Sequence, residues 1–90
     1  MKMIICAIKD LGSQTFSRPQ FFNHTNIAIR SFMDEVNRPS TSSQPNDLNA
    51  HADDFELYEL GSYDDSTGTF ECPDSPALLS QAKQVLNIDS

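Results

Sequence analysis

The run Asp-Asp-Ser-Thr-Gly at residues 64–68 offers several oxygen ligands of the kind that calcium binds. A calcium-binding loop of the helix-loop-helix type needs alternating ligands closed by a glutamate, and no such pattern follows this run. Its final glycine instead accepts the positive φ that a tight hairpin requires. We therefore expect a solvated hairpin tip and no metal site.

Paired carboxylates are a second route to chemistry, because two of them can act as general acid and general base. Four acidic residues lie close together in the second half of the chain: Asp53, Asp54, Glu56 and Glu59. The sequence contains no glycine-rich phosphate loop, no serine nucleophile motif and no HExxH zinc motif. We interpret the carboxylates as a charged sheet face, and we expect neither an enzyme nor a cofactor.

Two cysteines, Cys6 and Cys72, are the only thiols. They lack the CxxC spacing of a zinc site, and neither His24 nor His51 stands beside a residue that would orient it for nucleophilic catalysis. We expect both cysteines to be reduced core residues, with a disulfide between them as the less favoured alternative.

The distribution of charge is more informative than these motifs. The 90 residues include 13 acidic and 6 basic side chains, a net charge of −7, yet five of the six basic residues lie before residue 39. The first part of the chain is therefore weakly basic and the remainder strongly acidic. A net negative charge weakens binding to a polyanion, but it leaves room for a local nucleic-acid site.

Aromatic side chains stand among the N-terminal cations, a combination that single-stranded nucleic acid uses for base stacking and backbone contact. The candidate nucleic-acid-binding residues are Lys9, Phe16, Arg18, Phe21, Phe22, Arg30 and Arg38. The alternative interpretation makes the phenylalanines core residues and the arginines solvated surface, with Arg30 paired to Asp34 one helical turn later.

A chain of 90 residues forms a single domain, residues 1–90, with one modest core. The apolar run at residues 2–9 predicts a central strand. The next segment, residues 14–22, predicts an edge strand or an irregular strand, because Pro19 cannot donate a ladder hydrogen bond. Alternation along that strand places Phe16 and Phe21 on opposite faces.

One amphipathic helix and one long loop follow. Asn23 or Thr25 can cap a helix of about twelve residues. Its apolar positions recur at helical spacing and form the stripe Ile29, Phe32, Met33 and Val36. The helix stops before Pro39, and residues 39–53 predict a polar surface loop that is longer than most connections.

The second half predicts another hairpin and a closing helix. Residues 54–60 and 69–72 have strand composition. Ser75 and Pro76 suit the cap and first turn of a helix with the stripe Leu78, Leu79, Ala82, Val85 and Leu86. The order β-β-α-loop-β-β-α predicts an α+β fold, a small antiparallel or mixed sheet of about four strands with two amphipathic helices on one face.

The hairpin segment at residues 53–70, DDFELYELGSYDDSTGTF, resembles a phage family. Its pattern, D-[FY]-x-L-[FY]-x-L-G-x-[FY]-D-D-x-T-G-x-[FI], is similar to the small nonstructural protein encoded by the fifth reading frame of gokushoviruses, which are Microviridae. The family's A-x-R-x-F-x-[DE]-x-[VN] helix is matched by Ala28, Arg30, Phe32, Asp34 and Val36. The resemblance covers nearly the whole chain, although the loop before the hairpin is longer and more polar than in the family.

The resemblance implies a phage nonstructural protein that supports synthesis or packaging of a single-stranded DNA genome in the host cytoplasm. Its partners would be single-stranded DNA or the phage replication and procapsid proteins. The charge distribution supports an alternative, an acidic adaptor or DNA mimic that engages a basic protein surface. Open sheet edges would also suit a homodimer.

We expect no membrane partner and no export by a signal peptide. The longest apolar run is far below the roughly 20 residues that cross a bilayer. The small-residue cleavage site of a signal peptide is also missing from the sequence. These observations predict a soluble protein.

Overall fold

Two long antiparallel strands form the centre of a computed structural model, which describes residues 1–87. They are β1 (Lys2–Asp10) and β4 (Phe55–Asp64), which pair along their whole length. The outer positions are each filled by two short strands: β2 (Thr15–Phe16) and β3 (Gln20–Phe22) beside β1, and β5 (Thr69–Glu71) and β6 (Ala77–Gln81) beside β4. Six strands thus occupy four positions of one antiparallel sheet.

The helices of the described residues lie on one face of this sheet. They are α1 (Thr25–Asn37), α2 (Asp47–Ala50) and α3 (Ala82–Val85), with a 3-10 turn at Ala52–Asp54 before β4. The core between sheet and helices includes Cys6 and Leu57 from the strands and Ala28, Phe32 and Val36 from α1. The predicted α+β class with a small antiparallel sheet is therefore confirmed.

Helix α1 is confirmed with small differences at its start and along its stripe. It has 13 residues and begins after His24, whose side chain makes no capping hydrogen bond, so the predicted caps Asn23 and Thr25 are wrong. Ala28 is fully buried, whereas Met33 is 37% exposed. No helix of residues 1–87 is long and apolar enough to cross a membrane.

The predicted closing helix is confirmed only over its second half. Residues Ala77–Gln81 form β6, which pairs with β4, and only Ala82–Val85 are helical. Two adjacent leucines suit either a helix or a strand, and here Leu78 is exposed while Leu79 packs against the core. The free edge of β4 favours the strand, because pairing satisfies backbone groups that would otherwise lack partners.

The segment after α1 caps that helix, a role that its polar composition did not indicate. Asn46 is only 5% exposed, and its amide nitrogen donates to the carbonyl oxygens of Glu35 and Arg38, each at 2.8 Å. Asn49 donates to the carbonyl of Val36 at 3.0 Å. These are carbonyls that a helix C-terminus leaves without intrahelical partners. Part of the predicted loop is thereby ordered, and it includes α2 and the 3-10 turn.

Candidate nucleic-acid interface

The sheet face opposite the helices carries five aromatic side chains: Phe16, Phe21, Tyr58, Tyr63 and Phe70. We call it the open face, because no helix of residues 1–87 covers it. Cys6 belongs to the core on the helix side. Since side chains alternate along a strand, Ile5, Ala7 and Lys9 belong to the open face.

The interruption between β2 and β3 brings Phe16 and Phe21 onto this face. Phe16 pairs with Lys9 and Phe21 pairs with Ile5, while residues 17–19 interrupt the regular pairing between them. Five positions along a regular strand would reverse the direction of the side chain. The prediction that the two rings face opposite ways is therefore wrong, because the segment is not one continuous strand.

A bulge in β4 has the same effect on Tyr58 and Tyr63. The register with β1 skips Leu60, so that Tyr58 pairs with Ala7 and Tyr63 with Met3. In a regular strand these two tyrosines, also five positions apart, would point to opposite faces. The bulge thus makes the open face aromatic on β4 as well.

The first group of rings surrounds a lysine. The centroids of Phe16 and Tyr58 lie 5.6 Å apart in an edge-to-face arrangement, and Lys9 Nζ lies 5.6 Å from the centroid of Phe16. Glu56 accepts hydrogen bonds from the Gln81 amide and from the Tyr58 hydroxyl, each at 2.8 Å. These bonds, the one from Gln81 foremost, lower the pKa of Glu56. One carboxylate therefore accompanies the cation here.

The second group is more exposed. Tyr63 lies 5.8 Å from Phe21 and 4.8 Å from Phe70, measured between ring centroids. The exposed fractions are 42% for Phe16, 44% for Phe21 and 60% for Phe70. Exposed aromatic rings that neighbouring rings hold in place suit the stacking of planar ligands.

The remaining predicted site residues lie elsewhere. Phe22 packs against the helix-side core and does not reach the open face. Arg18 is exposed on the segment that leaves the sheet. Arg30 and Arg38 belong to α1 and its C-cap, on the other side of the sheet.

The N-terminal cations consequently do not converge on one groove. Arg38 donates to Glu35 at 2.8 Å, and Lys2 lies 3.4 Å from Glu71. The ion pairs of residues 1–87 do not include Arg30, so its expected pairing with Asp34 is not formed. Lys9 is the cation that stands among the aromatic rings.

Comparison with known families identifies the chain. A family model described as "Phage ORF5 protein" matches residues 3–85. The chain belongs to the phage ORF5 protein family. This confirms the phage resemblance of the hairpin and of α1, and the ORF5 family member is accordingly a bacteriophage accessory protein. A search of curated proteins and a search of solved structures each found no match.

The sequence interpretation of this ORF5 family member missed three of its surface rings. Tyr58, Tyr63 and Phe70 are not among the candidate nucleic-acid-binding residues that the sequence indicates. The sequence feature that could have indicated these three rings is the repeated aromatic residues of the hairpin motif. The shared face is not readable from that motif, because it depends on the bulge at Leu60.

The acidic turn of the ORF5 family member closes the hairpin between β4 and β5. Asp64 accepts hydrogen bonds from the hydroxyl and the backbone N–H of Ser66, which lower its pKa. Asp65 lies 2.8 Å from the N-terminal ammonium, and Gly68 has a φ of 70°. These contacts support the predicted hairpin tip.

The two cysteines are both free, but only one is buried. Burial, with a smaller contribution from Glu59, raises the pKa of the Cys6 thiol to about 11. Cys72 is exposed, so the prediction that both are core residues is right for Cys6 and wrong for Cys72.

Proposed function

We propose that this phage ORF5 protein is a noncatalytic accessory protein of gokushovirus type. Its open face would bind single-stranded DNA during genome synthesis or packaging in the host cytoplasm. The supporting observation is the set of three exposed phenylalanines on one sheet face: Phe16, Phe21 and Phe70. Bases of any sequence stack on such rings, and each stacked base contributes about 1–3 kcal/mol.

The charges around the open face limit the strength of this binding. Lys9 on the face and Arg18 at its edge have no ion-pair partner within the described part of the chain. A strand that contacts two cations should lose affinity with a slope of about −1.4 in log K against log salt. Because the whole chain carries −7, we expect moderate affinity that is highest at low salt.

Removing one exposed ring should weaken DNA binding. Phe16→Ala and Phe70→Ala are each expected to raise the Kd for a short labelled oligothymidylate by about fivefold or more, the lower limit for one lost stacking contact. The two residues belong to different ring groups, so the effects of the two substitutions should add. Fluorescence anisotropy at low salt measures the Kd.

The matched control is Ile27→Ala. Ile27 is 47% exposed on α1, so it resembles the phenylalanines in exposure but lies on the other side of the sheet. Its substitution should leave the Kd unchanged. Equal Kd values for all variants would contradict the proposal. A Phe70→Ala variant that changes from dimer to monomer without any change in Kd would also contradict the proposal, because the open face would then be a homodimer contact.

The dispersed cations favour a second candidate, the acidic adaptor that engages a basic protein surface. Exposed carboxylates lie at the start of α2, at Asp47, and within the 3-10 turn, at Asp53 and Asp54. Such an adaptor should retain a protein partner after nuclease treatment of an extract from infected cells, whereas a complex formed through DNA should dissociate.

A further inference from the structure

A cavity of about 340 Å³ lies between the interrupted edge of the sheet and α1. One wall is formed by Ser17, Arg18 and Gln20, where the edge strand leaves the sheet. At this gap Ser17 makes the hydrogen bonds to β1 that regular strand pairing would otherwise supply. Its Oγ accepts from the N–H of Ile8 at 2.9 Å, and its N–H donates to the carbonyl of Ile8 at 2.8 Å. Pro19, which has no N–H, cannot continue the pairing.

The inner lining of the cavity is apolar. It is formed by Cys6, Phe22, Phe32 and Leu57. The raised pKa of the Cys6 thiol keeps this group neutral, so the lining carries no charge there. A volume near the lower end of the range for small-molecule sites, about 300–1,000 Å³, has room for one planar heterocycle.

Two opposite charges line the cavity without neutralising each other. Arg18 and Glu35 both border it, yet the ion pairs of residues 1–87 do not join them. Glu35 Oε1 accepts both hydrogen bonds from Arg38, at 3.1 and 2.8 Å. Its Oε2 has no hydrogen-bond partner within the described part of the chain. Arg18, which carries a guanidinium donor, and Glu35, which carries an unused carboxylate acceptor, thus both line one cavity.

We propose that this cavity binds a single guanine base. Guanine has N–H donors along its Watson–Crick edge, which suit Glu35, and acceptors at O6 and N7, which suit Arg18. Thymine lacks the paired donors, and adenine lacks the O6 acceptor. The base can belong to the bound strand or to a free nucleotide, and the strand-borne case rests on the proposed function.

The first test uses two oligonucleotides. Wild-type protein should bind an oligothymidylate with one central deoxyguanosine about fivefold more tightly than the plain oligothymidylate, since a good bidentate contact discriminates by about 1–3 kcal/mol. Glu35→Gln should abolish this preference. Asp34→Asn removes the same charge at the neighbouring exposed position of α1, outside the cavity lining, and should retain the preference.

The second test uses free nucleotides and the wild-type protein alone. Deoxyguanosine monophosphate should shift the NMR amide signals of Ser17, Gln20 and Ser31, which line the cavity, and thymidine monophosphate should not. If these shifts occur but oligothymidylate does not bind, the proposed function is wrong and the cavity inference stands. If oligothymidylate binds without any guanine preference and the shifts are absent, the cavity inference is overturned. A preference that survives in Glu35→Gln overturns it as well.

Discussion

Replacing Asn46 by aspartate should reduce the free energy of unfolding by about 3–5 kcal/mol at neutral pH, the cost of an uncompensated buried charge. The Asn46 amide nitrogen lies 2.8 Å from the carbonyl oxygens of both Glu35 and Arg38. A carboxylate oxygen at that place would face two acceptors. Because the total free energy of unfolding of such a domain is about 5–15 kcal/mol, the variant should lose a large fraction of its stability.

The chemical nature of the substitution isolates this cause. Asn46 Oδ1 also accepts from the N–H of Leu48 at 3.2 Å as the N-cap of α2, and aspartate caps helices equally well. The lost stability therefore reports the loss of the two donated hydrogen bonds together with the buried charge that faces the two carbonyls. The carbonyls raise the pKa of the introduced carboxyl, so stability should recover as the pH falls through that pKa, where the protonated group can donate again.

Urea denaturation followed by circular dichroism at neutral and acidic pH measures both effects. The control is Asn26→Asp, the same change at an exposed site in the first turn of α1, where a negative charge is neutral or slightly stabilising. A loss below about 1 kcal/mol for Asn46→Asp would show that the capping of α1 by this segment is energetically unimportant.

The second large effect is expected for Gly61→Ala. A Cβ at Gly61 would stand 2.5 Å from the carbonyl oxygen of Glu71 and 2.6 Å from Cys72 Sγ. The carbonyl belongs to β5, whose Glu71 pairs with Ser62, so relief of the clash requires this pairing to open. Overpacking against backbone should cost about 3 kcal/mol, and the Tm should fall by about 12–24 °C.

Gly12→Ala provides the matched comparison. A Cβ at Gly12 would meet only Asp10 Oδ1, at 3.2 Å, the end of a side chain that can shift. The expected change in the free energy of unfolding is within about 0.5 kcal/mol. Thermal unfolding that gives similar Tm values for Gly61→Ala and Gly12→Ala would contradict the close approach of β5 to β4.

Local periodicity predicted the elements that carry a strong repeating signal. The apolar run of β1, the stripe that includes Phe32 and Val36, and the glycine-ended turn before β5 each specify one local structure. They were found in the predicted places. The edge position of this segment followed from Pro19, which cannot take part in a continuous ladder.

The features that were not predicted depend on contacts distant in sequence. The local sequence around Leu78 and Leu79 suits a helix. In the fold these residues form β6 instead, because the free edge of β4 pairs with them. The bulge at Leu60 and the excursion at residues 17–19 each reverse the face of the residues that follow. A sequence pattern with period two cannot reveal such a reversal, so the aromatic open face was not predicted.

The most direct test of the open face as a DNA-binding surface is NMR mapping of amide signals with a short oligothymidylate at low salt. The signals of Lys9, Phe16, Phe21 and Phe70 should shift, because these residues lie on the open face. Those of Ile27 and Arg30 on α1 should remain unchanged. Spectra without shifts, or with shifts confined to α1, would contradict the proposal.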